Sequence, residues 1–447
     1  MHKKSSAHAP TEALLLLNQL DEPLRQVDCD GLACQVGFKR RKQRKIAPTL
    51  LLKAFCLASL YAPVSFAGLA FQLGLLIHDV ISKQGIAHRM SSACVEWVKT
   101  VLFAVLAQRV DFPTLKRKGV FATFQRVLLQ DSTCLALADR LASFFPGSRN
   151  QRKAFACLKI QVVYDLLQEC FVGFRLSGFT RNDQAAAPDI LAIARPGDLI
   201  LRDLGYFVLS VFEVLVARGI CFGSRFRSDV ALLEPLTERP LNLLKHLRRY
   251  RVLDQVLWLG KDHHLPVRVV ALPLAPAVAA ERRRKARQNR DRRCAPSKVQ
   301  LELLGWEIFI TNVPQTVWPS ATVAEVYGLR WRMEIMFKAW KSHFRLATLS
   351  AHSAHQVQVL LYARLLIISL FQVHCFFPLN QGALAQHQTP ISLLKFARCV
   401  AHPLVMLLLP NAQCDQTAWF SRLRLKYCAY EKRRKRKNFG QRLASLS

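Results

Sequence analysis

The strongest chemical signal in the sequence lies in residues 322–341, where Tyr327, Arg330, Glu334 and Lys341 recur at helical spacing. At about 100° per residue they fall within about 60° of one another on a helical wheel, with Lys338 beside them. Val326, Leu329, Met333, Met336, Phe337 and Trp340 form a separate apolar stripe. One face can therefore pack into a core while its neighbour presents one carboxylate among three cations and a phenol. Arginine grips phosphate through forked N–H groups and lysine as a point charge, and a tyrosine hydroxyl can add a hydrogen bond. The same spacing also suits a solvated helix with Glu334 and Lys338 paired one turn apart, so other segments must decide between the two readings.

Two aspartates supply the decision. Val127-Leu-Leu-Gln-Asp131 and Leu199-Ile-Leu-Arg-Asp203 are short apolar runs that each end in an acid, and open sheets bind ligands at the ends of their strands. Three oxygen donors drawn from separated segments suit Mg²⁺ or Mn²⁺. Two such ions about 4 Å apart can activate a water or hydroxyl and stabilise the leaving oxygen of a phosphodiester. Asp131, Asp203 and Glu334 are thus the candidate catalytic and metal-holding residues. Glu234, Glu307 and Glu325 are formal rivals for the third place; Glu334 is preferred because its helical neighbours bind phosphate.

These groups need a sheet and a following helix to position them. Thr322 with Glu325 three residues on reads as a capping box that starts the Glu334 helix. Strands are expected over 127–131, 158–164 and 170–178, a helix over 183–194, a strand over 199–203, a helix ending at Arg218 before Gly219, and a strand over 220–227. That order suits an α/β mixed sheet with helices on its faces. A hairpin (252–259 and 265–271) and a basic run (281–293) then intervene before strand character returns at 301–311. The basic run holds eight cations against two acids, a balance that favours contact with a DNA backbone. The expected organisation is a helical N-terminal DNA-binding region (1–118), the first part of a catalytic core (119–227), a basic β-rich insertion (228–299), the second part of the core with the Glu334 helix (300–375), and a helical C-terminal region with a basic tail (376–447). Within the first region, 65–73 and 82–89 can form a helix-turn-helix with Ser82 as N-cap and Lys83, Gln84 and Arg89 facing DNA. A plain helical packing domain fits those residues equally well.

Composition agrees with a nucleic-acid partner. The 447 residues carry a net charge of +34 and a pI of about 10.3, with the densest runs at 39–45, 282–293, the Glu334 helix and 432–437. Such a field points to a polyanion, and to nucleic acid before membrane. Thirteen scattered cysteines without a Cys-x-x-Cys argue against a zinc module or disulfide framework and fit a reducing cytosol. No signal peptide is read at the N-terminus. Residues 54–77 are uncharged and long enough to span a bilayer, but Pro63, Gly68 and Gly74 divide them into two short helices of a buried core. Asp183 follows Asn182 at an expected helix start, where capping accounts for it. Asp262, His263 and His264 fall at the hairpin turn without a partner motif, and His352 and His355 read as surface or packing residues.

Tyr327-x2-Arg330-x3-Glu334-x6-Lys341 resembles the Tyr-Arg-Glu-Lys (YREK) signature of bacterial insertion-sequence transposases with a DDE active site. Asp131-Ser132-Thr133 resembles the first acid motif of that family, Asp203-Leu204-Gly205-Tyr206 its second, and 303–313 the strand leading towards the third acid. The resemblance covers about 121–345. It implies a ribonuclease H-like mixed-sheet core with a β-rich insertion, flanked by helical N- and C-terminal regions. It also implies two Mg²⁺ ions, replaceable by Mn²⁺, at Asp131, Asp203 and Glu334, with Tyr327, Arg330, Lys338 and Lys341 binding DNA. The implied reaction is cut-and-paste transposition: water nicks a strand at the element's end, and the freed 3′-hydroxyl attacks the opposite strand. The resulting hairpin is reopened before strand transfer. Partners are double-stranded DNA (terminal inverted repeats and target) and a second protomer, with no membrane, in the bacterial cytoplasm at the nucleoid. Trp306 stands where the family stacks an aromatic ring on a flipped base; a tryptophan packing the core reads as well there. A DNA-binding regulator that has lost catalysis and a structure-specific nuclease on the same fold are the competing functions.

Overall fold

Short apolar strands from the middle of the chain form the centre of the fold. β1 (Val127–Leu137), β2 (Pro146–Arg149), β3 (Ala154–Asp165) and β4 (Cys170–Gly178) are joined antiparallel, β3 lying between β1 and β4 and also pairing β2. On its other edge β1 runs parallel to β5 (Leu199–Arg202), and β5 runs parallel to β6 (Cys221–Arg225). Every residue of β5 is buried, as a parallel strand covered on both faces requires. The order β4-β3-β1-β5-β6, with three antiparallel strands followed by two parallel ones, is the expected ribonuclease H-like core. The computed structural model describes residues 23–40, 46–60, 65–108, 119–149, 154–288, 295–349, 353–387, 389–400, 426–429, 442 and 445–446. The basic tail at 432–437, residues 41–45 and 289–293 of the other basic runs, and His352 lie outside the described residues.

The stretch expected as a separate insertion is part of the same sheet. β7 (Leu232–Leu233), β8 (Leu253–Leu259) and β9 (Leu265–Pro273) extend it through β10 (Trp306–Thr311), which pairs with both β6 and β9. Ten strands result. The expected strand at 301–311 begins instead with a helix, Lys298–Leu303, started by a capping box of Ser297 and Gln300.

Helices cover both faces. The N-terminal region contributes α1 (Cys29–Gln35), α2 (Pro48–Leu60), α3 (Phe66–Ile77), α4 (Lys83–Arg89) and α5 (Ser92–Ala107). They share one apolar core with Val127, Leu129, Leu199 and Leu201 of the sheet. α6 (Asp183–Ala186), α7 (Leu209–Ala217) and α8 (Leu243–Tyr250) enclose a second core on the opposite face, with Leu128 and Ile200. The helix expected over 183–194 is shorter: after Ala186 the chain tightens into a 3-10 turn that carries Pro188, which has no N–H to give an α-helix. Gly219 takes a positive φ of 66° after α7, as a helix stop does.

Of residues 54–77, 54–60 lie on α2 and 66–77 on α3, the two helices read from the sequence, while 61–64 with Pro63 lie outside the described residues. α9 (Pro276–Arg287) carries the described part of the 281–293 run, and α10 is the Lys298–Leu303 helix. The expected Glu334 helix is two, α11 (Ser320–Tyr327) and α12 (Trp331–Ser342), joined by a 3-10 turn over Gly328–Arg330. Thr322 is not its cap: the helix starts two residues earlier, behind Pro319, without a side-chain cap. α13 (Ala354–Leu370) continues through a π-turn towards His387. Residues Ala354–Ala385 are long and apolar enough to cross a membrane, yet 83% of an apolar 18-residue stretch within them is buried inside the protein.

Candidate active site

β1 outruns its parallel neighbour, and Asp131 is the first residue beyond the last β1–β5 pair, Gln130 with Arg202. Asp131 is therefore inside a longer strand, still paired with β3, rather than at a strand end. Asp203 directly follows β5, so both aspartates leave the parallel part of the sheet at the same level. Glu334 stands in the first turn of α12.

A single guanidinium gathers the three acids. Arg330 Nη1 donates to Asp131 Oδ2 at 2.9 Å, and Nη2 donates to Glu334 Oε1 at 2.9 Å. The same Nη2 lies 3.6 Å from Asp203 Oδ1. Arg330 and Asp131 are deeply set, their side chains 14% and 15% exposed, whereas those of Glu334 and Asp203 are 38% and 45% exposed. Burial pushes the Asp131 carboxyl up to about 6. Arg330 and the Ser132 N–H (2.8 Å from Asp131 Oδ1) oppose that rise, and the neighbouring charges of Asp203 and Glu334 add to it.

Tyr327 is buried rather than open to solvent, and its hydroxyl has no hydrogen-bond partner among the described residues. Its ring lies near two guanidinium groups, with Arg225 Cζ at 5.7 Å and Arg330 Cζ at 5.8 Å from the centroid, distances at which a ring face attracts a cation. Lys338 and Lys341 are exposed along α12. Trp306 begins β10, whose antiparallel course brings it to the sheet end where β5 and β6 finish. Its Nε1–H donates to the Arg251 carbonyl at 2.8 Å, and its ring packs against the second core.

Other expected DNA contacts are partly engaged within the protein. Arg282 pairs with Glu307, Arg283 donates to the Leu301 carbonyl, and Arg284 pairs with Glu281. In the N-terminal region Ser65 and Ser82 cap α3 and α4 through Gly68 and Gly85. Lys83 and Gln84 are exposed, while Arg89 folds back on the Gly85 carbonyl.

Sequence reasoning missed two groups. Asn182, not Asp183, caps α6, its Oδ1 accepting from Ala185 N–H at 2.9 Å; the Asp183 carboxylate turns back to the sheet. The signal was Lys159 and Gln161 inside an otherwise apolar strand, because a buried cation needs a partner. Arg332 points inwards, opposite Glu334, and donates to Glu169 at 3.2 Å.

An all-carboxylate donor set fits hard divalent cations, and Arg330 already draws its members together as a counter-cation. Among the described residues no three ligating side chains stand close enough to hold an ion as placed, and the Arg330 guanidinium contacts all three acids.

A ribonuclease H-like sheet that carries acids at its centre and on the next core helix is the frame of enzymes that cut and join polynucleotide strands. The family described as "Transposase DDE domain" matches residues 122–370, more than half of the chain and a span that holds Asp131, Asp203 and Glu334. The chain belongs to this family and is a DNA-cleaving, strand-joining enzyme. It is 26% identical over 400 residues to the transposase for insertion sequence element IS231C of Bacillus thuringiensis subsp. berliner, covering 85% of this chain and 83% of that one. It is 29% identical over 363 residues to the IS231D transposase of Bacillus thuringiensis subsp. finitimus, covering 76% and 75%. Among solved structures, the piggyBac transposase synaptic complex with hairpin DNA aligns with a TM-score of 0.42 at 10% identity, covering 95% of this chain and 87% of that one.

Proposed function

We propose that Asp131, Asp203 and Glu334 are the catalytic acids of a metal-dependent cut-and-paste transposase acting on the terminal inverted repeats of its own element. The observation that carries this reading is the meeting of three carboxylates from β1, the β5 end and α12 on Arg330. Divalent metal held by these carboxylates, Mg²⁺ or Mn²⁺ and in the fullest form two ions, would activate the attacking oxygen and stabilise the leaving one.

The chain's own residues handle the substrate. Lys338 and Lys341 hold the backbone of the scissile strand, and Arg330 turns from the acids to a phosphate as DNA arrives. Tyr327 supports that arginine. Hydrolysis at the element's end breaks a phosphodiester and frees a 3′-hydroxyl. That hydroxyl attacks the opposite strand and closes a hairpin, near which Trp306 stacks on an unpaired base; a second hydrolysis reopens it before strand transfer to target DNA. Residues 1–118 recognise the ends, and two protomers pair two ends in the bacterial cytoplasm.

Asp131→Ala, Asp203→Ala and Glu334→Ala are expected to abolish Mg²⁺-dependent nicking of the element's ends while gel-shift binding of the same DNA persists. Full cleavage by any one variant removes that residue from the site.

A further inference from the structure

Directly behind the candidate acids, on the opposite sheet face, lies a second polar cluster. Side chains alternate along a strand, so Asp131 faces the core under α12 while Ser132 faces the one enclosed by α6 and α7. Asp183 Oδ1 accepts from three donors there: Ser132 Oγ at 2.8 Å, Lys159 Nζ at 3.0 Å and Gln161 Nε2 at 3.2 Å. The Lys159 side chain is only 6% exposed. Burial disfavours charge on Asp183, but the Lys159, Ser132 and Gln161 hydrogen bonds outweigh it and hold the carboxyl below its usual range.

Two routes lead from this carboxylate to the candidate acids. Ser132, whose hydroxyl it binds, holds Asp131 Oδ1 with its own backbone N–H at 2.8 Å. On the other route, Gln161 accepts from the Tyr206 hydroxyl, and Tyr206 N–H closes on the Asp203 carbonyl at 3.0 Å. The turn also touches Asp183 directly: a Cβ on Gly205 would lie 3.1 Å from Asp183 Oδ2 and 3.3 Å from its Cβ. Any side chain at this position would press on Asp183, which would have to give by a few tenths of an ångström.

We infer that Asp183 is a positioning residue, with Lys159 as its counter-ion, that sets the separation of the Asp131 and Asp203 carboxylates through Ser132 and the Gly205–Tyr206 turn. The inference rests on the proposed function of those two acids. Groups that orient metal-holding side chains typically change metal affinity about ten- to a hundred-fold when altered.

The test uses the full chain with Mn²⁺ alone as probe, its free ion followed by electron paramagnetic resonance, alongside nicking of end DNA over a Mn²⁺ series. Asp183→Asn is expected to raise half-saturating Mn²⁺ about ten- to a hundred-fold, with nicking regained at high Mn²⁺ and DNA binding unchanged. Ser132→Ala, which leaves the Lys159–Asp183 pair intact, is expected to raise it in the same direction without lowering the melting temperature. This variant carries the test alone if Asp183→Asn does not fold. A purely structural ion pair predicts that Ser132→Ala is silent, and that result, or an unchanged Mn²⁺ curve in Asp183→Asn, overturns the inference. Asp131→Asn separates the two levels: if it binds Mn²⁺ like wild type, the site assignment falls and the inference with it. If it loses Mn²⁺ while Asp183→Asn keeps it, only the inference falls.

Discussion

Replacing Arg330 with glutamine removes the cation on which three carboxylates converge, and the structure sets the size of the effect. Hydrogen bonds to charged groups contribute about 1.5–3 kcal/mol each, while exposed ion pairs contribute about 0–1 kcal/mol. The contact with Asp131 joins two deeply set side chains and belongs to the first class; those with the more exposed Glu334 and Asp203 belong near the second. Together they make Arg330→Gln about 3 kcal/mol less stable in chelator. With an unfolding entropy of about 2.1 cal/mol/K per residue and 447 residues, that is a fall of about 3 °C in melting temperature.

The same contacts must be broken before a metal ion can take the guanidinium's place, so the variant gains where the wild type loses. At about 1.4 kcal/mol per tenfold, DNA-free Arg330→Gln should reach half its Mn²⁺-induced thermal shift at about a hundredfold lower Mn²⁺. Scanning fluorimetry in chelator and over a Mn²⁺ titration measures both quantities. A variant that melts like wild type in chelator and shows the same Mn²⁺ dependence would refute the argument that Arg330 and metal compete for these oxygens.

Two other predictions concern the proposed DNA-binding lysines and the β8–β9 extension of the sheet. Lys338→Ala and Lys341→Ala should each weaken binding to end DNA and lower the slope of log affinity against log salt by about 0.9; fluorescence anisotropy across a salt series reads this, and an unaltered slope means that the lysine touches no phosphate. Asp254 accepts from Arg268 Nε and Nη2, at 2.6 and 2.7 Å, and from the Ser320 hydroxyl. Burial acts to raise its carboxyl, but those hydrogen bonds prevail and hold it below the ordinary 3.8. A depressed carboxyl stabilises the fold above its ordinary value and loses that contribution as pH falls through the folded value. Below about pH 4 the wild type should therefore lose melting temperature faster than Asp254→Asn, and parallel curves for the two proteins would count against the pair.

The strands around the site were legible because apolar runs bounded by polar residues survive into the fold almost unaltered. β4, β5, β8 and β9 lie within two residues of the reading, and Ser82 caps its helix as expected. What stayed hidden depends on tertiary partners. Tyr327, Arg330 and Glu334 share a side on an ideal wheel, but the 3-10 turn over Gly328–Arg330 winds about three residues per turn and tucks the Tyr327 ring inside. Thr322 and Glu325 satisfy the capping-box pattern, yet the chain enters the helix earlier, behind Pro319, which has no N–H from which a capping side chain could accept. Asp183 beside Asn182 looked like a cap because its true partners, Ser132, Lys159 and Gln161, lie in strands more than twenty residues away. The merging of the 228–299 stretch into the main sheet rests on β10 pairing with both β6 and β9, which no local pattern contains.

Alternate arginines on the third-acid segment divide two tasks. Arg332 and Glu169 are 2% and 3% exposed and meet at 3.2 Å, a burial of charge that seldom adds net stability. Its benefit is geometric, because a buried pair tolerates little misalignment: leaving either partner alone in the core costs several kcal/mol, about 3–5 on removal of the other. Glu169 sits at the β3–β4 turn, so the pair fixes the rotation of α12 against the sheet. Glu334, two residues on, is thereby aimed at the face that Asp131 occupies. Arg330, two residues back, reaches the acids from the same backbone, less enclosed than Arg332 and with two of its three carboxylate neighbours, Asp203 and Glu334, partly solvated. The buried pair holds the helix while the outer one can exchange carboxylate for phosphate, so a DNA end could free the acids without disturbing the scaffold that aligned them.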